Sequence, residues 1–246
     1  MPEQEYRQTG FRPPPGATEL FLVRHGASAA HVPGQVFDMV DGHGDPPLAP
    51  EGREQAERVA DRFAQEHIDA LYVTTLQRTH QTAAPLATRL GLEPVVEPDL
   101  REVGLGEWEG GTFREKVAEG DPLAHQMITE GRWDVIPGAE PMGSFKARVS
   151  AGLERIVAAH PGQRVVVVVH GGVIGVTLGQ AVGASYGFAF VGADNGSVSH
   201  LVATDGRWIV RRFNDTSHLG PGFDLPPLDA GGQTGLRSSA GRTFSA

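Results

Sequence analysis

Short apolar runs alternate with amphipathic stretches along most of the chain. Leu20-Phe21-Leu22-Val23 contains no polar residue, and Arg164 opens a run of five valines, Val165 to Val169. Runs of this length without polar alternation predict strands covered on both faces, as in a parallel sheet. The strands are expected at 19–24, 70–74, 94–97 and 164–169. Helical spacing places Val59, Ala60 and Phe63 on one face of 50–65. A second helix is expected from Gln77 to Leu90, closed by Gly91. Phe145, Val149, Leu153, Ile156 and Val157 form the apolar stripe of a helix over 143–159, and another helix follows at 173–182. Residues 197–204 and 207–213, joined by Asp205-Gly206, predict a hairpin. This βαβα order with a terminal hairpin predicts an α/β fold, a three-layer αβα sandwich around a mostly parallel central sheet.

One stretch breaks the alternation. Residues 104–141 hold Trp108, Phe113, Trp133, several glycines and two short helical segments, 113–118 and 122–130. An insertion of this length between strand and helix is expected to be lid-like over a site, with a plain surface excursion as the alternative. Residues 1–17 and 220–246, rich in Gly, Pro, Ser and Arg, predict flexible tails. That leaves 18–219 as one folded α/β domain.

The chain has 246 residues, a formal net charge of −9 and no cysteine. The acidic balance argues against nucleic acid and acidic membranes as partners, yet leaves room for a small phosphorylated substrate held by a few converging cations. Disulfide and thiolate chemistry are excluded. No stretch is long enough to span a bilayer and the N-terminal segment lacks a secretory apolar core, so a cytoplasmic location is expected. The sequence leaves a homodimer open.

Chemistry concentrates where strands end. Leu20-Phe21-Leu22-Val23 runs into Arg24-His25-Gly26, the valine run into His170-Gly171-Gly172, and Leu71-Tyr72-Val73 into Thr74-Thr75-Leu76-Gln77-Arg78. In open α/β sheets the carboxyl edge is where ligands bind. Neutral imidazole at His25 is a competent nucleophile toward phosphorus. Arg24 and Arg78 can fork onto phosphate oxygens. His170 and Gly171 open a helix, whose N-terminus favours anions, and glycine leaves the backbone accessible. The proton donor to the leaving group must be a carboxyl: Glu102, Glu107 and Glu109 are candidates, and Glu102, directly after a strand and a turn, is best placed. A carboxyl beside a bound phosphate has its protonated form favoured. Each residue taken singly also has an ordinary reading: His170 a core histidine, Arg78 a surface cation, Glu102 a turn carboxylate paired with Arg101.

The set in this order resembles the histidine phosphatase superfamily, in its phosphoglycerate-mutase-like branch. The resemblance is carried by Leu22-Val23-Arg24-His25-Gly26, the stretch from Asp45 to Ala56, Thr74 to Ala83, Leu100-Arg101-Glu102 with Gly106-Glu107-Trp108-Glu109-Gly110, and Val169-His170-Gly171-Gly172. It spans residues 19–214. It implies a phosphoglycerate-mutase-like fold, His25 as the phosphorylated nucleophile and a phosphate pocket of Arg24, Arg78 and His170. It further implies Glu102 as proton donor, with no metal and no other cofactor.

Ala27 and His31 stand where the family often carries an acidic residue and then an asparagine. Loss of the acidic side chain favours a phosphomonoesterase over a phosphoglycerate-type mutase, which is the runner-up. A catalytically inactive phosphate-binding protein is third. Ser28 and His31 are candidate phosphate contacts, with an exposed loop histidine as the other reading of His31. A metal cluster of His31, His43 and Asp45 is disfavoured by its irregular spacing. The glycine-rich loop 32–44 and the insertion are expected to shape access for the organic half of the substrate.

Overall fold

A computed structural model describes residues 7–220. The tail assigned to 220–246 lies outside the described residues except for Gly220, as do residues 1–6 of the other tail. Within 7–17, Ala17 is buried and the Arg211 guanidinium sits 3.8 Å from the Phe11 ring centroid.

Six strands form the main sheet: β1 (Thr18–Arg24), β4 (Ala70–Val73), β5 (Val95–Val96), β6 (Arg164–Val169), β7 (Val198–Thr204) and β8 (Arg207–Asp215). Their order is β5-β4-β6-β1-β7-β8. The first four run parallel, while β7 and β8 add an antiparallel hairpin at one edge. Asp205 and Gly206 at its turn take φ of 47° and 70°, the paired positive values of a two-residue turn that matches strand twist.

The valine run explains the layering. Val165, Val167 and Val169 face one core with Leu20 and Leu22. Val166 and Val168 face the other with Phe21 and Val23. Helices α1 (Pro50–Phe63) and α2 (Gln77–Leu90) cover the second face through Val59, Ala60, Phe63, Ala83 and Leu86. Helices α5 (Met142–Ala159) and α6 (Gly171–Val182) cover the first through Phe145, Val149, Leu153, Ile156, Ile174 and Leu178. Burial on both faces is why these strands show no polar alternation.

The remaining elements all lie on loops. Within 32–44 a two-rung hairpin of β2 (Met39–Val40) and β3 (His43–Gly44) forms a regular unit that the expected loop does not contain. Its turn residues Asp41 and Gly42 have φ of 49° and 79°. The insertion carries a 3₁₀ segment, Gly106–Gly111, then α3 (Thr112–Glu119) and α4 (Pro122–Glu130). Trp108, Ala124, Met127 and Ile136 pack with Phe188, from the segment after α6, into a small core under it. No described helix is long and apolar enough to cross a membrane.

Candidate active site

Register brings the chemistry together. Arg24 pairs with Val169 across β1 and β6, and Tyr72 pairs with Val167 across β4 and β6. The residues just beyond these strands, His25, His170 and Thr74-Thr75, therefore emerge side by side at the carboxyl edge. The backbone N–H of His25 continues the ladder by donating to the Val169 carbonyl (3.0 Å), and the His25 and His170 ring centroids are 5.2 Å apart.

The loop after His25 is pinned from both helices of one layer. Gly26 N–H donates to Thr82 Oγ1 (3.0 Å), and Ala27 N–H to Gln55 Oε1 (2.8 Å). Gly26 and Gly52 meet so closely that a Cβ on Gly26 would stand 2.4 Å from the Gly52 carbonyl oxygen. Glycine is required there by space. Asn195 closes the other side, donating through Nδ2 to the His25 carbonyl (2.9 Å).

His25 is buried, and its protonation pattern follows from its partners. Nδ1 lies 2.8 Å from the Gly26 carbonyl, which can only accept, so Nδ1 carries the proton. Nε2 accepts from Arg78 Nε at 3.2 Å. Burial, then the charges of Arg78 and Arg24, hold the imidazole pKa well below its ordinary value. The ring is neutral at pH 7, with its lone pair on Nε2.

Arg78, at the start of α2, is itself buried. It also donates from Nη1 to the Gly44 carbonyl (3.0 Å) and lies 3.7 Å from Asp45 Oδ1. The small hairpin thus aims the guanidinium at His25. Arg24 donates from Nη1 to the Ala193 carbonyl, while its buried Nε has no hydrogen-bond partner. A Cβ on Gly171 would stand 3.4 Å from that Nε, so the start of α6 lies against the Arg24 guanidinium. Burial lowers the pKa of both arginines, and the Glu102 carboxylate opposes that shift at each.

His170 is fully enclosed, and burial followed by the Arg78 charge pushes its pKa well down. Nε2 is 3.0 Å from Thr74 Oγ1, whereas Nδ1 has no partner, as is also true of Thr75 Oγ1. Buried polar atoms are almost always satisfied. Unpaired groups on Arg24, His170 and Thr75, all at adjacent strand ends, mark a built polar site.

Glu102 reaches the same cluster. Its Oε2 accepts the Gly172 N–H in the first turn of α6 (3.1 Å) and its Oε1 accepts the Val103 N–H (2.9 Å). Its own carbonyl is gripped by His43 Nε2 (3.0 Å) and Arg148 Nη2 (2.7 Å). Glu109 instead accepts backbone N–H groups of Gly44 and Leu105.

Two candidates are engaged elsewhere. His31 pairs through Nε2 with Glu115 of α3 (2.8 Å), and a Cβ on Gly111 would run into its Nδ1 edge. Ser28 Oγ accepts from Arg114 Nη2 (2.8 Å). His31, His43 and Asp45 do not converge on a shared point, each having separate partners. No group of three or more potential metal-ligating carboxylates and histidines occurs among the described residues. Arg148, Asn195 and Arg114 were not visible as site residues in the sequence, because none belongs to a strand-end motif with its own signature; Thr74 stands in the quoted run from Thr74 to Arg78, but its contact with His170 has no sequence signal.

A doubly covered, mostly parallel sheet with two histidines and two arginines at its carboxyl edge defines a phosphate-handling α/β protein. The chain belongs to the histidine phosphatase superfamily (branch 1), whose family model matches residues 20–216. It is 34% identical over 205 residues to phosphoglycerate mutase-like protein 4 of Arabidopsis thaliana, covering 82% of this chain and 86% of the relative. It is 32% identical over 206 residues to the metal-independent phosphoserine phosphatase of the same plant, covering 82% and 83%. A solved mycobacterial glucosyl-3-phosphoglycerate phosphatase in complex with VO3 superposes with a TM-score of 0.68 at 29% identity, covering 80% of this chain and 98% of that one. Family and relatives together support a phosphatase enzyme.

Proposed function

We propose that the protein is a metal-independent phosphomonoesterase that hydrolyses small phosphorylated metabolites through a phosphohistidine on His25. The observation that carries this reading is the neutral, buried His25, its Nε2 lone pair facing Arg78 and its neighbours Arg24 and His170 each holding an unpaired nitrogen. Nε2 attacks phosphorus as the ester P–O bond breaks, and the departing oxygen takes a proton from the Glu102 carboxyl. Water then attacks the phosphohistidine. The P–N bond returns its electron pair to Nε2, and Glu102 takes the proton of the attacking water.

Arg24 and Arg78 hold the equatorial oxygens throughout, the role a divalent ion would otherwise fill. With Nε2 of His170 beside Thr74 Oγ1, the tautomer in which Thr74 donates puts the imidazole proton on the unpartnered Nδ1, where it serves as a further donor to the phosphoryl group. Ala27 in place of an acidic residue supports hydrolysis over return of the phosphoryl group to a substrate hydroxyl. The insertion acts as the lid of this site. Gly44 N–H to Glu109, Phe37 N–H to the Gly110 carbonyl and His31 to Glu115 tie it to the loop that leads from the nucleophile.

The test is p-nitrophenyl phosphate turnover by wild type and His25→Ala in buffer containing EDTA. Wild-type turnover with chelator present, abolished in His25→Ala, is expected. Activity retained by the variant would refute the nucleophile. Activity lost to EDTA and restored by a divalent ion would refute metal independence.

A further inference from the structure

His43, in the small hairpin, takes no part in the phosphoryl chemistry. It is buried, and both of its ring nitrogens face backbone carbonyls. Nδ1 lies 3.0 Å from the Asp41 carbonyl in the hairpin turn, and Nε2 lies 3.0 Å from the Glu102 carbonyl. A carbonyl oxygen only accepts. Neutral imidazole has one N–H, so it would set a bare lone pair against one of these two oxygens. The imidazolium has two and satisfies both. The histidines of the phosphate pocket differ. His25 Nε2 accepts from Arg78, and His170 Nε2 can accept from Thr74 Oγ1, so a neutral ring suits each.

The contacts of this hairpin give the bridge its consequence. Through Nε2 it reaches the turn that carries the proton donor. The next residue, Gly44, accepts from Arg78 Nη1 (3.0 Å) and donates its N–H to Glu109 (2.9 Å). Two consecutive residues thus tie the acid and a phosphate-holding guanidinium to one unit. Arg148 holds the same Glu102 carbonyl from α5, and His43 supplies the grip from the hairpin side.

The charged groups on the surrounding elements are Asp41 and Asp45 of its own segment, Glu102, Glu109 and Glu140 across from it, Arg78 of α2 and Arg148 of α5. A charge on His43 is also felt at His170. Arg78 is answered by Asp45, and Arg148 by Glu140. Glu102 and Glu109 take their hydrogen bonds from backbone N–H groups. An imidazolium at His43 adds a counter-charge beside them.

We propose that His43 is a positioning residue that works as an imidazolium, clasping the Asp41 and Glu102 carbonyls and so holding the Glu102 carboxyl at the phosphoryl site. Its part in catalysis rests on the phosphatase reading above and deepens it.

Long-range proton–nitrogen spectra of the full wild-type chain at pH 6, below the ordinary histidine value of about 6.5, read the ring directly. His43 should show two protonated nitrogens, and His25 and His170 one each. Kinetics at the same pH compare an alkyl phosphate with p-nitrophenyl phosphate, because acid assistance matters most for the poorer leaving group. His43→Gln, which removes the charge, should lower kcat for the alkyl ester on the order of tenfold. For the aryl ester the loss should stay under about twofold, with KM unchanged for both. His43→Lys, which restores a cation with N–H donors, should recover part of the alkyl rate. In a Glu102→Gln background His43→Gln should change neither rate. The proposal is overturned by a His43 ring with one bare nitrogen, by equal losses on both esters, by no loss at all, or by an alkyl loss that persists without the Glu102 carboxyl. A wild type that turns over neither ester refutes the phosphatase reading, while the spectrum still decides the state of the His43 ring.

Discussion

Removing Arg148 tests whether the Glu102 turn is held in place from behind. From α5 the Arg148 guanidinium donates to the carbonyls of Asp99 (2.8 Å), Arg101 (2.7 Å) and Glu102 (2.7 Å). It also forks onto both oxygens of Glu140, at 2.7 and 2.6 Å. The two side chains are only 13% and 18% exposed, so the pair lies nearer the buried limit than the surface one. Breaking a buried pair costs roughly 3–5 kcal/mol. Partial solvent access at Glu140 brings the expected loss for Arg148→Met, which keeps the apolar stem, to about 3 kcal/mol. With a urea m-value on the order of 2–3 kcal/mol/M, the unfolding midpoint should fall by about 1 M. A cycle with Glu140→Gln should show coupling of roughly 1–3 kcal/mol. Burial alone would raise the Glu140 pKa, but Arg148 and the Gly104 N–H hold it below the ordinary value. The pair's stabilisation is therefore complete at neutral pH and fades as pH falls through and below the usual glutamate range, an acid dependence that Arg148→Met should lose. Urea titrations followed by circular dichroism at pH 7 and pH 4 measure both effects. A loss under about 1 kcal/mol with no coupling would show that Arg148 is an ordinary surface cation.

Two further outcomes follow from the site. His25 and His170 have folded pKa values well below the ordinary histidine value, through burial first and Arg78 next. Their proton-detected Cε1–H resonances should stay flat from pH 8 to below about 6.5. Stability should fall as pH drops beneath that value, because the unfolded chain binds the protons first; a midpoint at or above it would remove the neutral nucleophile. In Gly172→Ala the new Cβ would stand 2.4 Å from Glu102 Oε1 and displace the carboxylate. Turnover of alkyl phosphates should fall about a hundredfold while the urea midpoint holds, since alanine suits a helix better than glycine. Undiminished turnover would take Glu102 out of acid catalysis.

The parts of this molecule visible in its sequence share a physical cause. Val165 to Val169 and Leu20 to Val23 are apolar because both sheet faces are covered, so the runs announce their strands and the first polar residues after them announce the carboxyl edge. His25, His170, Arg78 and Glu102 could be found because each is tied to the end of such a run or to the turn that follows one. The hairpin at Met39–Val40 and His43–Gly44 was hidden because two-residue strands carry no periodicity. Arg148 and Arg114 were hidden for another reason: their partners lie 46 and 86 residues away, at Glu102 and Ser28, and are a carbonyl and a hydroxyl that any sequence supplies.

This division separates reaction from selectivity. A group that must meet phosphorus is fixed by strand register, which burial of a continuous apolar run determines tightly. A group that meets the rest of the substrate stands on a loop, where a cation can be moved or lost with little effect on the core. The insertion meets the loop leaving the nucleophile where α3 docks against the stretch from Ser28 to Phe37, through His31 with Glu115 and the approach of Gly111 to the His31 ring. A change at Gly111 would lift α3 from that stretch while the strand that carries His25 stays in register.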